Sequence, residues 1–301
     1  MSSNAASKKV ALDHTAELKP NQRAYPQGMR ILLTNDDGIY APGIVALHAQ
    51  LTGSTQHPDP LGEVFTVAPL TVQSATSHGI TYHQPLLTRN VRINDHDGTA
   101  VDGRPADCTK LALTNLWPEH FGAGSRPDLV ISGMNAGANC GINVLYSGTV
   151  AAAIEAAFLG VPAIAVSLHL DRELDSDQLN PDYDRAAATA RRVIDQLLAG
   201  GLPGPHEILS INIPATGRLK DDAPIIICPM NTHAMVDKFD ERTTPHGDRY
   251  FWSAGHGLDF VGADEGTDVP ELMAGHITVT PLRYDMTDHN RISFWQDRLG
   301  S

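Results

Sequence analysis

An apolar strand runs directly into two adjacent carboxylates in the stretch Met29-Arg30-Ile31-Leu32-Leu33-Thr34-Asn35-Asp36-Asp37-Gly38. The run at 31–33 is typical of a strand buried on both faces, as in parallel sheets covered by helices. Ligands of open α/β sheets bind beyond the carboxyl ends of such strands. Two carboxylates placed there repel each other unless a cation lies between them, and a hard divalent cation suits oxygen ligands. The same residues also suit an ordinary turn, in which Asx side chains bond their own backbone. Taken alone, the stretch leaves both interpretations open.

Outward from this stretch, strands and helices alternate along the chain. We predict strands at 30–35, 63–69, 128–132, 163–167 and 208–213, extended or hairpin segments at 79–102, and helices that open near Pro42 or span 105–116, 147–160 and 182–199. Such alternation is typical of βαβ units, so the expected fold is α/β, a doubly wound, mostly parallel, Rossmann-like sheet. We predict a disordered, polar extension at 1–28 and a single domain at 29–301.

The pattern changes after about residue 224, where only short extended pieces remain, at 225–229, 249–253 and 276–280. Isolated hairpins are marginal in water, so these pieces need a surface to pack on. We expect residues 225–282 to form C-terminal arms, with 230–275 reaching a neighbouring subunit, and therefore a homodimer or homotetramer. The alternative is that the tail folds back on its own core.

Composition excludes several classes of function. The 301 residues carry a formal net charge of −13, which argues against binding of nucleic acid through its backbone. Three cysteines with no CxxC pair indicate neither a disulfide framework nor a thiolate zinc site. The first 28 residues lack the apolar core of a signal peptide, and no run of about 18 apolar residues occurs, so we expect no membrane span. These features predict a cytoplasmic location.

Three further loops follow strand-like segments or open a helix, at 73–79, 132–141 and 146–149. The last opens an alanine-rich helix, whose N-terminal amides suit a phosphate or carboxylate. Ser147 or Thr149 also suits an N-cap, a role that is compatible with anion binding. In a doubly wound sheet all four loops can meet at one edge. The oxygen ligands there would be Asp36, Asp37, Ser74 and Asn135, a set suited to Mg²⁺, Mn²⁺ or Ca²⁺.

The ordered set of motifs resembles the SurE family of stationary-phase survival proteins, which are metal-dependent 5′-nucleotidases. The resemblance runs from about residue 29 to about 282 and rests on Ile31-Leu32-Leu33-Thr34-Asn35-Asp36-Asp37-Gly38, Ser74-Ala75-Thr76, Ile80-Thr81, Pro105-Ala106-Asp107-Cys108, Ser132-Gly133-Met134-Asn135-Ala136-Gly137-Ala138-Asn139-Cys140-Gly141, Ser147-Gly148-Thr149-Val150, Asp240-Glu241-Arg242, Pro245-His246-Gly247, Gly266-Thr267-Asp268 and Thr278-Val279-Thr280-Pro281. It implies that Asp36, Asp37, Ser74 and Asn135 hold the metal. It also implies a dimer or tetramer with exchanged C-terminal arms.

The chain departs from the family pattern at three places. These are Ser77-His78-Gly79, Arg104 where a threonine is common, and the N-terminal extension. Arg104 would alter substrate preference if it lay near the pocket, and the sequence does not place it there.

The expected activity is metal-dependent hydrolysis of nucleoside 5′-monophosphates, with one Mg²⁺ or Mn²⁺ per subunit. Asp36 and Asp37 would hold the metal, and one of them would accept the proton of the attacking water. Phosphate and substrate contacts are expected from Asn35, Asn139, Ser147, Gly148 and Thr149, and charge stabilisation from Asn135 as well.

Rival hypotheses remain at this point. An aspartyl-phosphate intermediate is less favoured, because phosphatases that form one typically space two aspartates by one residue. The other rivals are a broader nucleotidase or exopolyphosphatase and a catalytically silent nucleotide-binding regulator.

Overall fold

The stretch at 29–34 forms an interior strand of a nine-stranded sheet in the computed structural model, which describes residues 28–171, 181–254 and 257–300. Apart from Gly28, the predicted N-terminal extension lies outside these residues. The strands are β1 (Met29–Thr34), β2 (Gly62–Pro69), β3 (Leu87–Ile93), β4 (His96–Asp102), β5 (Leu129–Ala136), β6 (Ala163–Leu168), β7 (Glu207–Ile213), β8 (Ile225–Ile227), β9 (Phe239–Thr243), β10 (Arg249–Ser253) and β11 (Ile277–Arg283).

Seven α-helices accompany the strands in the described part of the chain. They are α1 (Pro42–Thr52), α2 (Pro105–Leu111), α3 (Trp117–Phe121), α4 (Gly148–Phe158), α5 (Tyr183–Ala199), α6 (Asp268–Met273) and α7 (Ile292–Leu299). A π-helical turn at Ala112–Leu116 joins α2 to α3, and 3₁₀ turns lie at Gly141–Leu145 and His289–Arg291. None of the described helices has the length and apolarity that a membrane crossing requires.

The main sheet is mostly parallel and has the strand order β3-β4-β2-β1-β5-β6-β7-β11-β8. β1 pairs in parallel with β2 and β5, and the parallel pairing continues through β6 to β7. Helices α1 and α5 pack together on one face, and α2 and α4 pack together on the other. The predicted doubly wound α/β fold is therefore confirmed.

Alternation along β1 divides the core into two layers. Ile31 and Leu33 join the cluster under α1 and α5, whereas Leu32 joins the cluster under α4. All three side chains are fully buried. This burial on both faces explains why the strand is a continuous apolar run rather than an alternating one.

The predicted arm region at 225–282 divides in two. β11 lies antiparallel to β7 and parallel to β8, so both strands complete the main sheet. Ile277 and Val279 are buried in the core, which is the apolar gain that draws this segment onto its own chain. The predicted extended pieces at 225–229 and 276–280 are therefore strands, and they fold back on the core of their own chain, which is the alternative named above for the tail. Within the described residues, the β9–β10 hairpin forms a separate two-stranded sheet, with every residue of both strands exposed. Helices α6 and α7 were not predicted.

Candidate active site at the carboxyl edge of the sheet

The adjacent carboxylates lie where three other loops meet them. The Gln73 amide donates to Asp36 O at 2.7 Å, and the Ala136 amide donates to Asp37 Oδ2 at 2.7 Å. The Thr149 hydroxyl donates to Asp36 Oδ1 at 2.5 Å. The structure therefore brings together the four loops that the sequence places at strand ends and at the start of α4.

Asp36 is almost fully buried, at 4% exposure, beneath the first turn of α4. A Cβ on Gly148 would lie 2.9 Å from Asp36 Oδ2 and equally close to Pro105 Cγ. Only glycine lets the helix N-terminus approach the carboxylate this closely.

Burial disfavours the charged forms of both carboxyls. It raises the pKa of Asp36 to about 6; the Thr149 hydrogen bond opposes this rise, and the charge of Asp37 adds to it. Burial also raises the pKa of Asp37 above its ordinary range, against the opposing Ala136 amide. A cation between the two would favour the ionised pair.

Asn135 follows an irregularity in the pairing of β5. The pairing register of β5 with β6 shifts between Ser132 and Asn135. Within the intervening segment, a Cβ on Gly133 would lie 2.3 Å from Val166 O, so the backbones approach closely there. Asn135 Nδ2 donates to Gly137 O at 2.6 Å, which leaves Oδ1 as the oxygen of this amide that a ligand can use.

Asn35 closes the turn and leaves one polar atom without a partner. Its Nδ2 donates to Gly38 O at 2.8 Å, which is the turn chemistry expected of an Asx residue. Its Oδ1 is buried and accepts no hydrogen bond from a described residue. A buried acceptor of this kind at a polar site suits a ligand or a bound water.

Three other predicted substrate contacts use their side chains within the protein. Ser147 Oγ accepts the Val150 amide at 3.0 Å and is the N-cap of α4. The hydroxyl of Thr149 is used on Asp36, as described above. Asn139 Nδ2 donates to Ser167 Oγ at 2.8 Å, and the Asn139 amide donates to Asn212 Oδ1 at 2.8 Å. The Val150 amide is used on Ser147, so the groups in this turn that remain suited to an anion are the Gly148 and Thr149 backbone amides, which have no acceptor within the helix.

The loop after β2 places Ser74 in an exposed position directly after Gln73, which is bonded to Asp36. Arg104, whose place the sequence left open, lies with its guanidinium against Gly79 of the same segment. It is exposed and directly precedes Pro105, which packs against Gly148. Arg104 therefore borders the site.

A divalent cation fits this set of donors. The described residues contain no group of three or more His, Cys, Asp or Glu side chains placed to bind a metal. A cation here would depend on two carboxylates supplemented by hydroxyl and amide oxygens, which are the hard ligands that Mg²⁺ and Mn²⁺ take. Two observations favour a cation here: the unpartnered, buried Asn35 Oδ1, and two adjacent carboxylates of which Asp36 is buried and Asp37 half-buried.

Comparison with known proteins places the chain in a family. The family model described as "Survival protein SurE" matches residues 31–236. The chain belongs to the SurE family. A Heliobacterium modesticaldum protein named 5′-nucleotidase SurE is 44% identical over 274 residues, covering 90% of this chain and 92% of that protein. A Rhodopirellula baltica protein of the same name is 42% identical over 275 residues, covering 89% and 98%.

The fold agrees with a solved member of the SurE family. The crystal structure of the SurE protein from Aquifex aeolicus matches with a TM-score of 0.71 and 31% identity, covering 90% of this chain and 100% of that one. Within this SurE-family chain, the sequence reasoning missed Ser167 and Asn212. Both are polar residues near the carboxyl ends of buried strands, which was the available signal.

Proposed function

We propose that this protein is a divalent-metal-dependent phosphomonoesterase that hydrolyses nucleoside 5′-monophosphates to nucleoside and phosphate. The observation that carries the proposal is the adjacent pair of carboxylates, in which Asp36 is buried beneath the N-terminal turn of α4 and Asp37 is half-buried. The relatives named 5′-nucleotidase SurE, at 44% and 42% identity over most of their lengths, support the substrate class.

Four side chains would hold the metal, with one Mg²⁺ or Mn²⁺ per subunit: Asp36, Asp37, Ser74 and Asn135. When bound, the ion supplies Lewis acidity that lowers the pKa of a water and polarises the phosphoryl oxygens. The amides of Gly148 and Thr149 bind phosphoryl oxygens at the positive end of α4.

Direct attack by water is the proposed reaction. The water oxygen forms a bond to phosphorus while the bond to the 5′-oxygen breaks, and solvent protonates the leaving nucleoside oxygen. Asp37 accepts the proton of the attacking water, since its Oδ2 is fixed by the Ala136 amide and its other oxygen receives no hydrogen bond from a described residue. A phosphoenzyme trapped on either aspartate would instead establish covalent catalysis.

The test is phosphate release from 5′-AMP with Mg²⁺ or Mn²⁺, before and after chelation. Asp36→Asn and Asp37→Asn should each lower turnover by about 100-fold or more, because loss of a ligand weakens the hold on the metal. Asp97→Asn, a change of an exposed carboxylate at the remote end of β4, is the matched control and should leave turnover unchanged. Activity of both site variants equal to that of the unmodified protein at limiting metal would refute the assignment.

We also infer assembly into a homodimer or homotetramer through the C-terminal arms. The β9–β10 hairpin and α7 carry large exposed apolar side chains, among them Phe239, Trp252 and Trp295 at 63%, 62% and 53% exposure. Apolar surface grouped on two projecting elements is typical of an interaction surface. A second copy of the chain offers the same two elements in return, as a two-fold interface requires.

A further inference from the structure

Glu155 is a buried carboxylate that the proposed reaction does not use. It lies on α4 two turns after Gly148, and its side chain is only 2% exposed. His78 Nε2 lies 2.8 Å from Glu155 Oε2, and Lys110 Nζ lies 3.1 Å from Oε1. Its partners come from the loop after β2 and from α2, two of the elements that border the site. One buried charge therefore joins three elements around the carboxylate pair.

The loop that contributes His78 also carries Ser74, and its backbone is strained. Ala75 and Ser77 have φ angles of 55° and 52°, a left-handed conformation that residues other than glycine rarely adopt. Such conformations persist only where the surroundings hold them. The conformation of this loop therefore depends on the contacts that the loop makes with the rest of the protein.

Contacts hold the loop on both sides of Ser74. Before it, the Gln73 amide donates to Asp36 O, and after it the Ser77 amide donates to Tyr146 O at 3.1 Å. His78 then adds its bond to Glu155 and stacks on Phe158, with ring centroids 5.1 Å apart. Of these contacts, the His78 bond is the one made to a buried charge. Removing a partner from a buried charge is strongly destabilising, so this bond holds the loop more firmly than a bond between neutral groups.

We infer that His78 and Glu155 are positioning residues for the metal site, because they hold the strained loop that carries Ser74 next to the bond between Gln73 and Asp36. The inference rests on the proposed metal site. We assign neither residue a contact with the substrate. They act by linking the Ser74 loop to α4, the helix whose first-turn amides we assign to the phosphate. The metal ligand and these amides therefore keep fixed positions relative to each other.

The test measures Mn²⁺ binding to the full chain by electron paramagnetic resonance, without substrate. His78→Leu should weaken Mn²⁺ binding by about tenfold or more, the range found when residues supporting metal ligands are lost. His78→Gln keeps an N–H donor near the position of Nε2 and should restore binding to within about threefold. Glu155→Gln should weaken binding in the same direction as His78→Leu, and it replaces that variant if the leucine protein does not fold.

Two controls separate positioning from general damage. Lys110→Met removes the other bond to Glu155 without touching the loop, so Mn²⁺ binding should stay within about twofold. In a Ser74→Ala background, His78→Leu should add little further loss, because the two act through one ligand.

Unchanged Mn²⁺ binding in His78→Leu would overturn the inference. So would equal losses in the leucine and glutamine variants, an equal loss in Lys110→Met, or full additivity with Ser74→Ala. If the unmodified protein binds no Mn²⁺, the proposed metal site itself fails, and that result is distinct from the others.

Discussion

At the scale of single residues, the Thr149 hydroxyl and the absence of a side chain at Gly148 determine the surroundings of Asp36. The Thr149 hydroxyl donates to Asp36 Oδ1, and both residues are buried. The bond favours the charged carboxylate against the cost of burial and fixes which oxygen is left for a ligand. Gly148 admits the helix end because it has no Cβ.

Thr149→Val keeps the shape of the side chain and removes its donor. We expect Mn²⁺ affinity to fall by about tenfold, as for other groups that orient a ligand. Thr149→Ser, which keeps the hydroxyl, should stay close to the unmodified protein. Isothermal titration with Mn²⁺ checks this, and a valine variant that binds as tightly as the serine variant would contradict it.

Gly148→Ala puts a methyl group 2.9 Å from Asp36 Oδ2, so the carboxylate or the helix end must shift. A displacement of about 1 Å at a reacting centre can cost about 100-fold in rate, and we expect a loss of that order in turnover of 5′-AMP. Gly257→Ala is the matched control, since nothing lies within 4 Å of its added Cβ. Circular dichroism should show the same helix content in both variants, and equal activity would contradict the prediction.

At the scale of elements, α1 and β4 meet through two stacked imidazoles. The His48 and His96 rings lie 3.4 Å apart and nearly parallel, with an interplanar angle of 6°. Burial, followed by the neighbouring His96, lowers the pKa of His48 from 6.5 to about 4. This contact favours neutral His48, so its contribution to stability depends on pH.

Stability should fall as the pH drops from about 6.5 to about 4, because the unfolded chain takes up a proton at His48 before the folded chain does. The difference between 6.5 and about 4, at 1.36 kcal/mol for each pKa unit, bounds the loss at about 3 kcal/mol. In His48→Gln the free energy of unfolding should fall less over this range. Urea unfolding at a series of pH values from 7 to 4.5 measures both curves, and parallel curves would contradict the prediction.

At the scale of the whole molecule, the C-terminal region consists of elements that pack on the core and two elements that lie exposed. β8, α6 and β11 complete the core, whereas the β9–β10 hairpin and α7 lie exposed. The ends of the hairpin are close together, since the Ala254 amide donates to Lys238 O at 2.8 Å. A short glycine–serine turn can therefore replace residues 239–253 without disturbing the core.

The unmodified chain should sediment as a dimer or larger at micromolar concentration, and the variant lacking the hairpin should shift toward monomer while keeping its circular dichroism. The reason is loss of the exposed apolar surface on β9 and β10. Leu202→Ser, a change at an exposed apolar residue outside the arms, is the control and should not alter sedimentation. A full-length chain that sediments as a monomer would contradict the predicted assembly.

Local sequence patterns were sufficient to predict the order of elements from β1 to β7 and the edge of the sheet at which the candidate site lies. Apolar runs such as 31–33 and 129–132 are typical of strands buried on both faces, and a parallel topology brings the carboxyl ends of such strands together. Adjacent carboxylates beyond the first of these strands were visible for the same reason. Asp36, Asp37 and the turn at 147–149 were therefore named as candidate site residues from the sequence alone, and their roles stay a prediction.

Only the tertiary structure decided which side chains satisfy one another across the site. The hydroxyl of Thr149 bonds Asp36, Asn139 bonds Ser167, and Glu155 gathers His78 and Lys110. It also decided that β11 inserts between β7 and β8 rather than extending as an arm. Both outcomes depend on pairs far apart in the chain, and local propensity carries no information about such pairs because their gain comes from burial and from satisfying buried polar groups on packing.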